Sequence, residues 1–121
     1  MASTELPQPR RGDIWLTAFG AARVGEPGKT RLVVVLSVQD PPHDSAYDLV
    51  TVAPISASMP VSAVRPPVAA TPETGLVCDS VIVVRALRGM SRTRLVRRLG
   101  AVDAVTLASV QEILAALLDL P

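Results

Sequence analysis

The chain changes its hydrophobic period once, and that change constrains the fold more than any other feature. Through Ala101 the apolar residues fall in short β-branched runs broken by proline and glycine; from Ala104 to Leu118 they recur at helical spacing. The strongest run, Leu32-Val33-Val34-Val35-Leu36 within 31–38, is continuous rather than alternating, which predicts a strand covered on both faces. Ser80–Leu87, with Val81 to Val84 in succession, reads as a second strong strand, and Gly12–Phe19, Asp48–Ala53, Val61–Arg65 and Leu95–Ala101 as further ones. Pro54, just beyond one of these, predicts an edge or a bulge. The intervening segments 20–30, 40–45 and 66–77 are loops by their glycine and proline content. In the last stretch Val105, Ala108, Val110, Ile113, Leu114 and Leu117 share one helical period, and Asp103 stands where an N-cap belongs. Residues 1–9, with Pro7 and Pro9 and no apolar period, read as a flexible tail, leaving 10–121 as one domain. The expected class is mainly β with a C-terminal α-helix: a small, strongly curved antiparallel sheet of the SH3-like barrel kind.

Composition narrows the chemistry. The 121 residues are 49% hydrophobic, so a packed core is expected, yet they include one Cys, one His, one Trp, one Tyr and one Phe. Cys78 and His43 together cannot supply a four-ligand zinc site, and no mechanism that needs paired histidines has its material here. Trp15, Phe19 and Tyr47 are too few for a platform on which several bases stack. Any catalysis must come from Arg, Ser, Thr, Asp and Glu. Cys78 reads as a half-buried structural thiol and His43 as an exposed loop residue. The lone cysteine suits a reducing compartment. No apolar run approaches the roughly 18 residues that span a bilayer, and Arg10 and Arg11 lead into Gly12 and Asp13 without an apolar export region, so a cytoplasmic protein with no membrane association is expected.

The net charge of +1 conceals a segregation. Arg85, Arg88, Arg92, Arg94, Arg97 and Arg98 fall between Ser80 and Val102 with no acidic residue among them. Asp40, Asp44 and Asp48 cluster in a loop, and Asp103, Glu112 and Asp119 in and around the helix. Lys29 apart, every basic residue is Arg, the better fork for phosphate or carboxylate. The arginine stretch reads either as a solvated face or as a partner surface.

Arg11-Gly12-Asp13-Ile14-Trp15 at the first strand resembles the start of the MazF/PemK (Kid) family of toxin endoribonucleases. The segment Gly25-Glu26-Pro27-Gly28-Lys29-Thr30-Arg31, running into Leu32-Val33-Val34-Val35, is similar to the family's loop of Glu followed five residues later by Arg at the head of a Val-rich strand. Ala53-Pro54-Ile55-Ser56 resembles its Pro-hydrophobic-Thr/Ser strand end. Asp79-Ser80-Val81, Arg88, Arg94-Leu95 and Leu99-Gly100 match as well, so the resemblance runs in order over residues 10 to 120.

The resemblance implies a toxin of a type II toxin–antitoxin system that cleaves single-stranded RNA without metal or other cofactor. The 2′-OH would attack its own 3′ phosphate, leaving a 2′,3′-cyclic phosphate and a 5′-OH and arresting growth. It assigns Arg31 and Ser56 as catalytic, a pair that suits the chemistry: a guanidinium and a hydroxyl can stabilise the charge that builds on five-coordinate phosphorus. Arg is always protonated in proteins, so its part is electrostatic, and Glu26 is the remaining candidate for handling the proton or for holding Arg31. Lys29, Arg85 and Arg88 are the expected RNA contacts. The sequence departs from the family pattern at Leu32 (usually Pro), Pro27 (often Gln) and Arg85-Ala86 (often Glu-Gln), which implies a different target sequence, and Arg85 suits a phosphate-dense RNA such as tRNA or rRNA. The expected partners are the RNA substrate, a second copy in a homodimer, and a cognate antitoxin whose acidic disordered tail lands on Arg88 to Arg98. Two alternatives share the barrel: a catalytically inactive binding module, and a CcdB-type gyrase poison. The poison's Trp-Gly-Ile tail has no counterpart in Asp119-Leu120-Pro121.

Overall fold

A computed structural model describes residues 8–18, 30–37 and 49–121. Among these residues seven strands and one α-helix follow in order: β1 Asp13–Ala18, β2 Thr30–Val35, β3 Leu49–Ser56, β4 Pro67–Val68, β5 Ser80–Ile82, β6 Arg88–Ser91, β7 Leu95–Ala101 and α1 Ala104–Leu117. All pairings are antiparallel, in the order β4-β5-β3-β2-β1-β7, with β6 also on β3. The result is a curved half-barrel closed by the C-terminal helix.

The valine run explains the centre. β2 lies between β1 and β3, and its side chains alternate between two apolar clusters. Val34 and Leu36 join Ile14, Ala53, Val68, Leu76, Ile82, Val84 and Val110 beneath the helix. Val33 and Val35 join Trp15, Val50, Val52, Met90 and Leu95 on the opposite face. A strand covered on both faces needs no polar alternation.

Ser80–Leu87 is not one strand. Between Val52↔Arg88 and Ile55↔Ile82, three residues along β3 are matched by six along its partner. The surplus is taken up by a turn of 3-10 helix at Val84–Ala86, opposite Pro54. Proline has no N–H to continue a ladder there; its carbonyl instead accepts the Val83 N–H at 2.8 Å. Val84 stays buried inside this detour, which is why its β-branched sequence looks strand-like. The expected strand Val61–Arg65 is a turn in which Ser62 and Arg65 exchange backbone hydrogen bonds of 3.2 and 3.1 Å. With Pro60 on one side and Pro66-Pro67 on the other, nothing remains to extend it, and the next paired residues are β4, inside the expected loop.

The Arg11-Gly12-Asp13-Ile14-Trp15 signature is architectural. Gly12 adopts φ 93°, which a side chain disfavours, donates to the Val35 carbonyl at 2.7 Å and accepts the Val102 N–H at 2.9 Å, so it joins β2 to the start of the helix. Asp13 is 5% exposed. Its carboxylate accepts from the Arg10 N–H (2.8 Å), the Trp15 indole (3.3 Å) and Arg98 Nε (3.1 Å). The Leu99-Gly100 pair is explained by a crossing: a β-carbon at Gly100 would collide with the Glu73 and Thr74 carbonyls.

The helix is capped as expected. The Asp103 carboxylate accepts the Thr106 N–H at 2.8 Å, which holds its carboxyl below the ordinary carboxylate value through the backbone hydrogen bond and then the Thr106 side chain. At the other end Asp119 takes φ 54°, and the Leu120 N–H reaches the Ala115 carbonyl at 2.8 Å, closing the last turn. Only Val110 of α1 is fully buried, and Val105, Leu117, Leu118 and Leu120 are exposed. No helix among the described residues is long and apolar enough to cross a membrane.

Candidate active site

The β2–β3 hairpin brings the two central candidates together. Its ladder runs to Val33↔Pro54, with Arg31 two residues before Val33 and Ser56 two residues after Pro54. Both line a single cavity of about 770 Å³, floored by Val33, Val52, Pro54 and Ile55. The 3-10 detour supplies its far wall through Val83 and Ala86, and Arg88, at the start of β6, also lines it. The cavity thus exists because the partner of β3 bulges outward at Pro54. A smaller depression of about 230 Å³ on the other side of Arg31 is lined by Thr30, Ile55, Ala57, Val77, Cys78 and Ser80, among others.

Arg31 is exposed, and among the described residues the β1–β2 ladder runs one pair past it, to Ala18↔Thr30. Its carbonyl is held by the hydroxyl of the fully buried Thr17, at 2.9 Å. Ser56 sits just beyond the bend in β3. Its oxygen accepts the Ser58 N–H at 3.2 Å and lies 3.2 Å from the Ser58 hydroxyl. Ser56 therefore both shapes a turn and presents a hydroxyl to the cavity. A cationic fork and paired hydroxyls over an apolar floor form a site suited to a phosphodiester flanked by bases.

The other candidates separate. Arg85 is exposed in the 3-10 turn and does not line the cavity, although its neighbour Ala86 does. Glu26 and Lys29 lie outside the described residues, as do His43, Asp40, Asp44 and Asp48. The arginine stretch is not one surface. Arg92 is 1% exposed, buried where a landing site was expected, and Arg98 is paired with Asp13. Arg94 and Arg97 remain exposed. Cys78 is exposed rather than half-buried: β5 starts two residues later, leaving the thiol on a bend next to Val77, itself 96% exposed. Trp15 is a core residue and offers no face to a base.

Thr17 and Ser58 were not visible as site residues in the sequence. The signal for Ser58 was a second hydroxyl two places after Ser56; for Thr17 it was one hydroxyl within an apolar strand.

The model of the PemK-like, MazF-like toxins of type II toxin–antitoxin systems matches residues 10–118. The chain belongs to this family. The fold agrees: a MazE–MazF complex from Deinococcus radiodurans superposes with a TM-score of 0.77 at 22% identity, over 95% of this chain and 99% of that one. The Mycobacterium tuberculosis toxin MazF-mt6 gives 0.69 at 24% identity, over 90% and 98%. A mycobacterial endoribonuclease in complex with its cognate antitoxin gives 0.67 at 18% identity, over 93% and 97%. This MazF/PemK toxin thus keeps the family's half-barrel and helix while differing in most of its residues.

Proposed function

We propose that this toxin is a metal-independent endoribonuclease that cleaves single-stranded RNA sequence-selectively in the cavity between β2, β3 and the 3-10 detour. The observation that carries the reading is the convergence of Arg31 and Ser56 on that cavity from adjoining strands. The ribose 2′-oxygen attacks the adjacent phosphorus as its proton leaves to a base, and the bond to the 5′-oxygen breaks as that oxygen gains a proton. The products are a 2′,3′-cyclic phosphate and a 5′-OH. Arg31 faces the charge that develops on the non-bridging oxygens, Ser56 donates to the same group, and Arg88 holds a neighbouring phosphate. Glu26 is the proton acceptor in this scheme on sequence grounds alone, with Lys29 and Arg85 contacting flanking phosphates. The chain has only three aromatic residues, so target bases are held by arginine, backbone and hydroxyl groups on the apolar floor.

The solved relatives in complex with MazE or a cognate antitoxin support an antitoxin partner here as well. Its acidic tail covers the cavity and the exposed Arg94 and Arg97. The outward apolar residues of α1 and its C-cap, Val105, Leu117 and Leu118, support a homodimer that buries them.

Incubating the purified toxin with total cellular RNA tests the reading, with EDTA present and Arg31→Ala as control. Cleavage that survives EDTA, fails in Arg31→Ala and leaves 5′-OH ends supports it. Intact mRNA, tRNA and rRNA under the same conditions would leave a non-enzymatic toxin.

A further inference from the structure

We infer that Thr17 is a positioning residue for Arg31: its buried hydroxyl fixes the Arg31 carbonyl, and with it the base of the side chain. The inference rests on the ribonuclease reading of the cavity and adds to it a residue that touches no substrate. Thr17 is 0% exposed, opposite Arg31 on β2 and opposite Leu95 on β7. The side chain is fully buried and valine has nearly its volume, so the hydroxyl is the informative atom. That hydroxyl donates to the Arg31 carbonyl across the strands at 2.9 Å.

Two features make the contact matter for chemistry. Thr17 and Arg31 face each other directly in the ladder, so the hydroxyl acts on its own cross-strand partner. In addition, the β1–β7 register shifts between Leu16 and Thr17, where Leu16 faces Arg97 and Thr17 faces Leu95. A bulge of this kind sharpens the local twist and re-aims side chains. Thr17 therefore stands at the twist, and its hydroxyl carries that geometry to the residue whose guanidinium must meet the phosphate. Four rotatable bonds separate the guanidinium from the backbone, so a small rotation at Arg31 displaces the fork by much more.

The test compares Thr17→Val, Thr17→Ser and Thr17→Cys with the parent on a short single-stranded RNA carrying a mapped cleavage site. For Thr17→Val, kcat falls about tenfold while KM stays within about twofold, and serine restores kcat. Melting temperatures are measured alongside, and Thr17→Cys, similar in size to serine but a weak donor, takes the place of the valine variant if that unfolds. Parental kcat in a folded Val or Cys variant overturns the inference. So does a loss confined to KM, or a kcat loss that serine fails to restore. Arg31→Ala is run in parallel. Cleavage that survives it overturns the reading of the site and this inference together, whereas dependence on Arg31 with indifference to the Thr17 hydroxyl overturns this inference alone.

Discussion

The β1–β2 ladder has two unlike ends. At one, Gly12, Asp13 and Trp15 are locked to the end of β2, to β7 and to the helix lead-in by backbone bonds and a buried carboxylate. At the other, Arg31 is exposed beside the cavity, with one hydroxyl from Thr17 steadying its backbone. The tied end holds the most recognisable stretch of the family resemblance, yet it holds no group facing the cavity. The open end, beside the cavity, holds the candidate catalytic residues singly, on separate strands. A motif that identifies a fold and the residues that perform a reaction are subject to different demands. The first must satisfy buried polar groups; the second must leave polar groups unsatisfied until substrate arrives.

Substitution should separate the two ends. Arg31→Ala is expected to lower cleavage about a hundred- to thousandfold, the usual loss for a group that stabilises transition-state charge. The melting temperature should stay near that of the parent, because the side chain is exposed. Asp13→Ala should do the reverse. It strands the Trp15 indole and the Arg10 N–H, and the expected loss of stability is about 2–3 kcal/mol in a denaturant titration. The Arg98 pair adds little to that figure, since Arg98 is 52% exposed and water screens it. Activity per folded molecule of Asp13→Ala should be unchanged, and a selective loss of kcat would break the division between the ends.

The sequence carried the tied end better than the open one. The valine run foretold a strand buried on both faces, and Asp103 foretold the helix start, because burial and capping leave periodic or local traces. The detour at Val84–Ala86 left none. Its β-branched Val84 is needed to fill the core, and only the register on β3 shows that the chain bulges there. That detour walls the cavity, so the cavity was equally invisible. Arg31 and Ser56 could be named individually from the resemblance, but their meeting depends on hairpin register. Arg92 misled for the opposite reason: an arginine among five others looks like surface, and its burial is set by tertiary packing.

Ser56→Ala tests the open end more finely. Removing the hydroxyl should lower kcat about tenfold, the value of one hydrogen bond to a charged group, with little change in melting temperature. Ser58→Ala should cost less, since it leaves the Ser58 N–H to orient Ser56. Equal losses in both variants would mean that the two hydroxyls act on substrate as a pair.

The smallest expected effect belongs to the tied end, through Asp103. The Val102 N–H bonds to Gly12, so the helix begins on the same anchor as β1, and Asp103 caps it in full contact with solvent. The Thr106 N–H favours the carboxylate form and lowers the pKa in the folded state. A depressed carboxyl adds stability above its unfolded value, near the ordinary 3.8, and loses it as pH falls through the lower folded value. Asp103→Asn keeps a cap oxygen but cannot titrate. The difference in melting temperature between parent and Asp103→Asn should therefore be constant from neutral pH to about pH 5 and shift in favour of the asparagine variant below about pH 4. Cleavage by the two proteins should match at every pH where both are folded, because the cap faces the tied end. A pH-dependent difference in kcat would mean that the helix start communicates with Arg31 across the length of β1, and the two ends would then be one unit.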